Sequence, residues 1–197
     1  MRKTSRFFLI AGCLLILGSL GLLATSRIRA EWARTYSAEV VSCIESIIPE
    51  RTAGDMDAYL SMEMPVLQID GQDFVGIVEI PSFGLALPIY SSWDAGKVTS
   101  FPCRFWGTVY DGSLVVGGAD QAGQFDCFDR IQDGSTVTVT DMTGGEYVYT
   151  VARVDRSKSA QADVLMDYSM DLTLFVRDAY NLNYILVRCM MKGRANG

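Results

Sequence analysis

The side chains best able to carry covalent chemistry in this chain are five cysteines, at positions 13, 43, 103, 127 and 189, and the chain has no histidine. A cysteine acts as a nucleophile or metal ligand through its thiolate, which needs positive charge nearby to form at neutral pH. Cys103 follows Pro102 in a predicted loop and precedes Arg104, a cation placed to favour that thiolate. Cys127 falls in a predicted strand. These two are the candidate alternative thiols. With no imidazole to pair with, both are expected to be small buried apolar residues instead. The missing histidine also removes Ser–His pairs and most zinc sites. No two cysteines form a C-x-x-C pair, so a zinc or thioredoxin-like reading has no basis. The four cysteines beyond Cys13 could form disulfides in an oxidising compartment, with three possible connectivities, but their unpatterned spacing favours free, buried thiols. Asp155, Asp163, Asp167 and Asp171 match no calcium loop and read as a solvated acidic face. Neither a metal nor a cofactor is expected.

The elements that must position such residues are strands. Asp171 to Met190 reads as a hairpin. Leu172, Leu174 and Val176 alternate with Thr173, Phe175 and Arg177, and after a polar loop Ile185, Val187 and Cys189 alternate with Tyr184, Leu186 and Arg188. Upstream, FVGIVEIP, LALPIY, SLVVGG, residues 126–131, TVTVT and YVYTVARV are further short runs. Prolines and glycines punctuate them. About eight strands with no strong helical pattern among them predict an all-β barrel or sandwich.

The first third of the chain is different. Arg2, Lys3 and Arg6 precede a charge-free apolar run, Phe7 to Ala24. At about 18 residues it is just long enough to cross a bilayer, and the basic leader predicts a cytoplasmic N-terminus. TSRIRA after Ala24 is a poor cleavage site, and the core before Cys13 is too short for a lipoprotein signal, so an uncleaved anchor is expected. Trp32, Tyr36, Val40, Cys43 or Ile44, and Ile47 recur at helical spacing, which predicts an amphipathic stalk helix packed on its own domain or lying near the membrane, with a docking helix for a partner as the other reading. The expected organisation is leader and anchor at 1–26, stalk at 27–48, linker at 49–73, β-domain at 74–191 and tail at 192–197. Net charge is −6, which argues against a nucleic-acid partner.

Several segments, in order, resemble the sortases, the membrane-anchored cysteine transpeptidases of Gram-positive bacteria, and the smaller B- and D-type single-barrel members in particular. GIVEIPSFGLALPIYSSW is similar to the sortase opening. SLVVGGAD is similar to the apolar strand that ends in the family histidine. GQFDCFDRIQDGSTVTVTD, EYVYTVARV and DLTLF resemble the segments that follow, the last leading to the catalytic cysteine. The resemblance covers about Phe74 to Met191 and implies an eight-stranded β-barrel preceded by a transmembrane helix and a short amphipathic helix.

The same resemblance places the family histidine at Ala119 and the family cysteine at Arg177. It places the family arginine at Tyr184, or at Asn183 if the loop is shifted by one. Alanine donates no proton, and a guanidinium is a permanent cation and no nucleophile. The implied protein is a cell-surface pseudo-sortase, single-pass, with its C-terminal domain outside. Its expected partners are the membrane and a sorting-signal peptide, a surface protein or an active sortase, with Arg177 and Tyr184 as candidate peptide-binding residues. Arg177 could hold a carboxylate or could be an ordinary surface arginine paired with Asp178 or Asp171. The alternatives are a transpeptidase using non-standard residues, and a structural part of a surface assembly.

Overall fold

The computed structural model describes residue 15 and residues 34–48, 63–179 and 181–195, with backbone only at 193–195. The apolar run Phe7 to Ala24 lies outside the described residues except for Leu15, and no described helix is long and apolar enough to cross a membrane. Helix α1 spans 34–47.

Nine strands follow: β1 (Leu67–Ile69), β2 (Gln72–Ile80), β3 (Leu85–Tyr90), β4 (Cys103–Trp106), β5 (Leu114–Ala119), β6 (Thr136–Asp141), β7 (Glu146–Ser157), β8 (Leu172–Arg177) and β9 (Tyr184–Ala195). A one-turn helix, α2 (Ala162–Leu165), precedes β8. The sheet order is β1-β2-β3-β4-β5-β8-β9-β7-β6, and β6 pairs back onto β2. Strands β2 to β9 therefore close an eight-stranded barrel, and β1 is an added hairpin arm. Closure leaves the barrel without a continuous free edge.

Two expectations fail locally. Residues 126–131 form turns rather than a strand, because Phe125 and Phe128 roll inward and stack at 4.4 Å as a plug of the barrel core. The strand that completes the count is β4, a short run of four residues. The folded part also begins earlier than residue 74, since β1 and the start of β2 lie in the expected linker.

Helix α1 belongs to the domain. Val40, Val41 and Ile44 pack with Phe74, Ile77 and Phe101 in one apolar cluster on the outer face of β2. The buried stripe runs through Ser37, Val40, Val41 and Ile44, and Ile47 is 52% exposed, so the stripe stops one turn short of the expected one.

The hairpin is β8–β9, in register from Leu172↔Cys189 to Arg177↔Tyr184. Leu172 to Val176 are all buried, on both faces. The alternation predicted a half-buried strand, but the outer face is covered too. Leu165 of α2 and Phe105 pack on Val115, Phe175 and Leu186 there. The Gly117-Gly118 pair of β5 lets rings cover both sides of that strand. A Cβ at Gly117 would lie 2.4 Å from the Phe175 ring, and one at Gly118 would lie 2.4 Å from the Phe125 ring.

Candidate functional site

Strands β5, β8 and β9 are neighbours, and their ends at one mouth of the barrel form a single row. Ala119 ends β5 and is the register partner of Arg177, the last residue of β8. Arg177 is in turn the partner of Tyr184, the first residue of β9. Ala119 is thus laid beside the Arg177–Tyr184 end of the β8–β9 hairpin on the outer face, although it is distant from both in the chain. Arg177 is exposed and Tyr184 half-buried.

The backbone around the row is tied down. The Gln124 side chain is buried, and its Oε1 accepts the Ala119 amide at 3.0 Å while its Nε2 donates to the Val98 carbonyl at 3.2 Å. Asp120 Oδ2 accepts the Ala179 amide at 2.9 Å, joining the β5 end to the β8–β9 loop. Asp178 is buried and accepts both the Asn181 amide and its side-chain nitrogen at 3.0 Å. Arg156 Nη1 lies 3.7 Å from Asp178 Oδ2. Asp171 accepts the Met191 amide at 2.6 Å. The acids expected to pair with Arg177 therefore serve other groups, and among the described residues Arg177 makes no ion pair within 4.0 Å.

One row further along lie Gly117, Phe175 and Leu186. Trp93 stacks on Phe175 at 5.6 Å and 26°, and Phe105 meets both rings edge-on. The apolar floor beside Arg177 is thus occupied by the chain's own aromatics. No periodicity marks Trp93, which stands in the loop between β3 and β4.

The third row holds Arg188, which is 4% exposed. Its guanidinium donates to the carbonyls of Val164 and Leu165 and, at 3.0 Å, to Thr173 Oγ1. Its Nε lies 3.5 Å from Asp155 Oδ2. Arg153 bridges Asp155 at 2.9 Å and Asp167 at 2.5 Å. Asp155 and Asp167, read from sequence as solvated, keep part of that exposure; Asp167 ties the segment after α2 to β7 through Arg153, while Asp155 joins β7 to Arg188 of β9. Hydrogen bonding from Ser169 holds the Asp167 carboxyl below its ordinary range.

The barrel thiols are buried. Cys103 is in strand β4, not a loop, and is fully buried. Arg104 turns away from it, donating to the Ser91 carbonyl at 2.8 Å. Cys127 is in the turn segment and is 2% exposed. Burial pushes both thiols up to about 11, and Cys189 in the barrel interior up to about 12. All four described cysteines are free, and no group of three or more metal-ligating side chains occurs among the described residues. Cys103 pairs with Gly117 in the row next to Ala119–Arg177–Tyr184, but neither it nor Cys127 is exposed there, and Arg104 does not activate Cys103.

No protein-family model and no curated protein matches the chain. Solved structures do. The Clostridium perfringens sortase D5 transpeptidase superposes with a TM-score of 0.58 at 14% identity, over 82% of this chain and 99% of that one. Sortase C1 of Streptococcus agalactiae gives 0.56 at 18% identity, over 87% and 90% of the two chains. Sortase A of Corynebacterium diphtheriae gives 0.55 at 20% identity, over 86% and 85%. Such identities speak for architecture, and the architecture is common to all three: the chain has the sortase fold.

Proposed function

We propose that this is a membrane-anchored pseudo-sortase, its N-terminus cytoplasmic and its barrel outside the cell, acting as a binding or accessory module. The observation that carries the reading is the single row Ala119–Arg177–Tyr184, which falls on the positions that the sequence resemblance assigns to histidine, cysteine and arginine. A thioester route needs a thiolate, a proton donor for the leaving amine and an oxyanion donor. The row offers a methyl group, a guanidinium and a phenol. The transpeptidase alternative needs a reachable thiol, and Cys103, Cys127 and Cys189 are all buried.

What the row can do is hold an anion. Arg177 is exposed and presents a planar fork of donors suited to a carboxylate. The fitting ligand is a peptide C-terminus or an acidic side chain of a sorting signal or surface protein. The covered apolar floor beside Arg177 favours a second reading, a structural part of a surface assembly. Trp106 and Tyr168, 51% and 82% exposed, would be its contact residues.

The test is a transpeptidation assay of the full chain in detergent against sorting-signal peptides, with binding read in parallel. Binding without turnover, weakened by Arg177→Ala, is the expected result. Turnover abolished by a thiol alkylator would overturn the pseudoenzyme reading. Absence of both, with a membrane partner recovered through Trp106 and Tyr168, would favour the structural reading.

A further inference from the structure

Trp93 caps the apolar floor beside Arg177 from outside. It stacks on Phe175 with ring centroids 5.6 Å and planes 26° apart, and it meets Phe105 edge-on. Gly117 makes room for it, since a Cβ there would lie 2.5 Å from the indole. With one face on Phe175 the indole is still 41% exposed, so its open area lies on the side turned away from the sheet. The backbone on either side of it is fixed. The Ser91 amide donates to the Asp73 carbonyl at 2.8 Å, and the Ser91 carbonyl accepts Arg104 Nε at the same distance. The Asp94 side chain accepts the Gly96 amide at 2.7 Å, and its carbonyl accepts the Val98 amide at 2.9 Å. The exposed ring is thus held in place before any ligand arrives, which lowers the ordering cost of binding.

This platform stands one strand repeat from Arg177. Phe175 and Arg177 occupy alternate positions of β8, so they face the same side about 7 Å apart. Gly117 and Ala119 repeat that spacing on β5. An exposed indole and an exposed guanidinium therefore sit side by side on the outer face. A flat indole face favours another ring in offset stacking, and a guanidinium favours a carboxylate through its fork of donors. An extended peptide places residues i and i+2 on one face at the same spacing of about 7 Å.

We infer that Trp93 and Arg177 together select an extended peptide in which an aromatic and an acidic residue are separated by one position, the ring stacking on Trp93 and the carboxylate meeting Arg177. This selectivity rests on Arg177 holding a carboxylate, as proposed above, and adds the side chain that must accompany it. Trp93 is then the specificity-determining residue of the row.

The probes are acetyl-Ser-Xaa-Ser-Glu-Ser-amide and acetyl-Ser-Glu-Ser-Xaa-Ser-amide, where Xaa is p-nitrophenylalanine, a ring that quenches indole fluorescence on contact. Binding is read by calorimetry on the unaltered full chain in detergent, to about 1 mM peptide. Contact is read as quenching of Trp93 in a chain carrying Trp32→Phe and Trp106→Phe, which removes the other two tryptophans. Saturable binding of at least one order is expected, with quenching that saturates over the same range. Replacing Xaa by alanine, or moving it next to the glutamate, is expected to weaken binding about fivefold. Glutamine in place of glutamate, or Arg177→Ala, is expected to weaken it about tenfold. Binding that needs the glutamate and Arg177 but ignores the ring would overturn the selectivity and leave the carboxylate reading standing. Quenching that saturates equally with glutamine would overturn it by separating Trp93 from Arg177. Absence of saturable binding would overturn both. If the tryptophan variant does not fold, the peptide exchanges on the unaltered chain still decide it.

Discussion

Ala119 and Arg177 are register partners across the parallel β5–β8 ladder, 58 positions apart in sequence and adjacent in the sheet. Their adjacency makes the row testable with a thiol placed by design. At pH 8 a buried thiol raised to about 11 is ionised to roughly one part in a thousand, whereas an exposed one is ionised to roughly a quarter. Arg177→Cys is therefore expected to be alkylated by iodoacetamide at least about a hundredfold faster than Cys103, Cys127 or Cys189. Peptide mass spectrometry over a labelling time course checks this. Adding Ala119→His is expected to shift the labelling rate profile of Arg177→Cys to lower pH, because an imidazolium beside it favours the thiolate. An unshifted profile would separate the two positions in solution.

Alkaline stability follows from the native thiols. Cys103 and Cys127 ionise near 11 and Cys189 near 12 in the folded chain, against an ordinary value near 9. Between those values the unfolded chain holds fewer protons than the folded one, so stability falls as pH rises. The thermal midpoint is expected to decline from about pH 9 to pH 11, and less steeply in Cys189→Ala than in the parent. Equal slopes would assign the decline to other groups.

Arg188 is the fastening of the α2 segment. Arg188→Ala leaves two carbonyls and Thr173 without their donor and removes a cation facing Asp155. A loss of about 2–4 kcal/mol in chemical denaturation is expected, with faster proteolysis between residues 158 and 171. Acid should loosen the same strap. The Asp167 carboxyl is held low in the folded chain, so its contribution is complete above the ordinary carboxylate range. It is lost as pH falls through its folded value. Proteolysis of this segment at pH 3 exceeding that at pH 6 is the expected reading, using a protease active at both.

Helix α1 is part of the folded unit. Ile44 is fully buried against the β2 face, so Ile44→Ala is expected to cost about 2–4 kcal/mol. The exposed Ile47→Ala is expected to stay within about 0.5 kcal/mol of the parent. Denaturation midpoints of the two variants check the assignment. Equal midpoints would argue against the packing of α1 on β2.

Much of the barrel was legible in the sequence because its strands obey local rules. The period-two alternation of 172–177 and 184–189 marks β8 and β9, and TVTVT and YVYTVARV mark β6 and β7. Strand β4 was not legible. Four residues with a proline before them carry too little periodicity, and their pairing with β5 is a long-range event. Residues 126–131 misled for the converse reason. Their apolar side chains, Phe128 among them, satisfy a barrel plug rather than a ladder.

The sequence by itself determined what the chain lacks and where most of its strands run. Without histidine no imidazole chemistry is open to it, whatever the fold. Which residues share a row was decided by the tertiary structure, because register between β5, β8 and β9 is set by pairing across loops of very different length. Burial was decided there too. The reach of Arg188 to Val164 and Leu165, the stacking of Trp93 on Phe175 and the seclusion of Cys103 all arise where distant segments close over the outer face of the barrel. Local sequence carries alternation, whereas the covering of a face depends on chain that arrives from elsewhere.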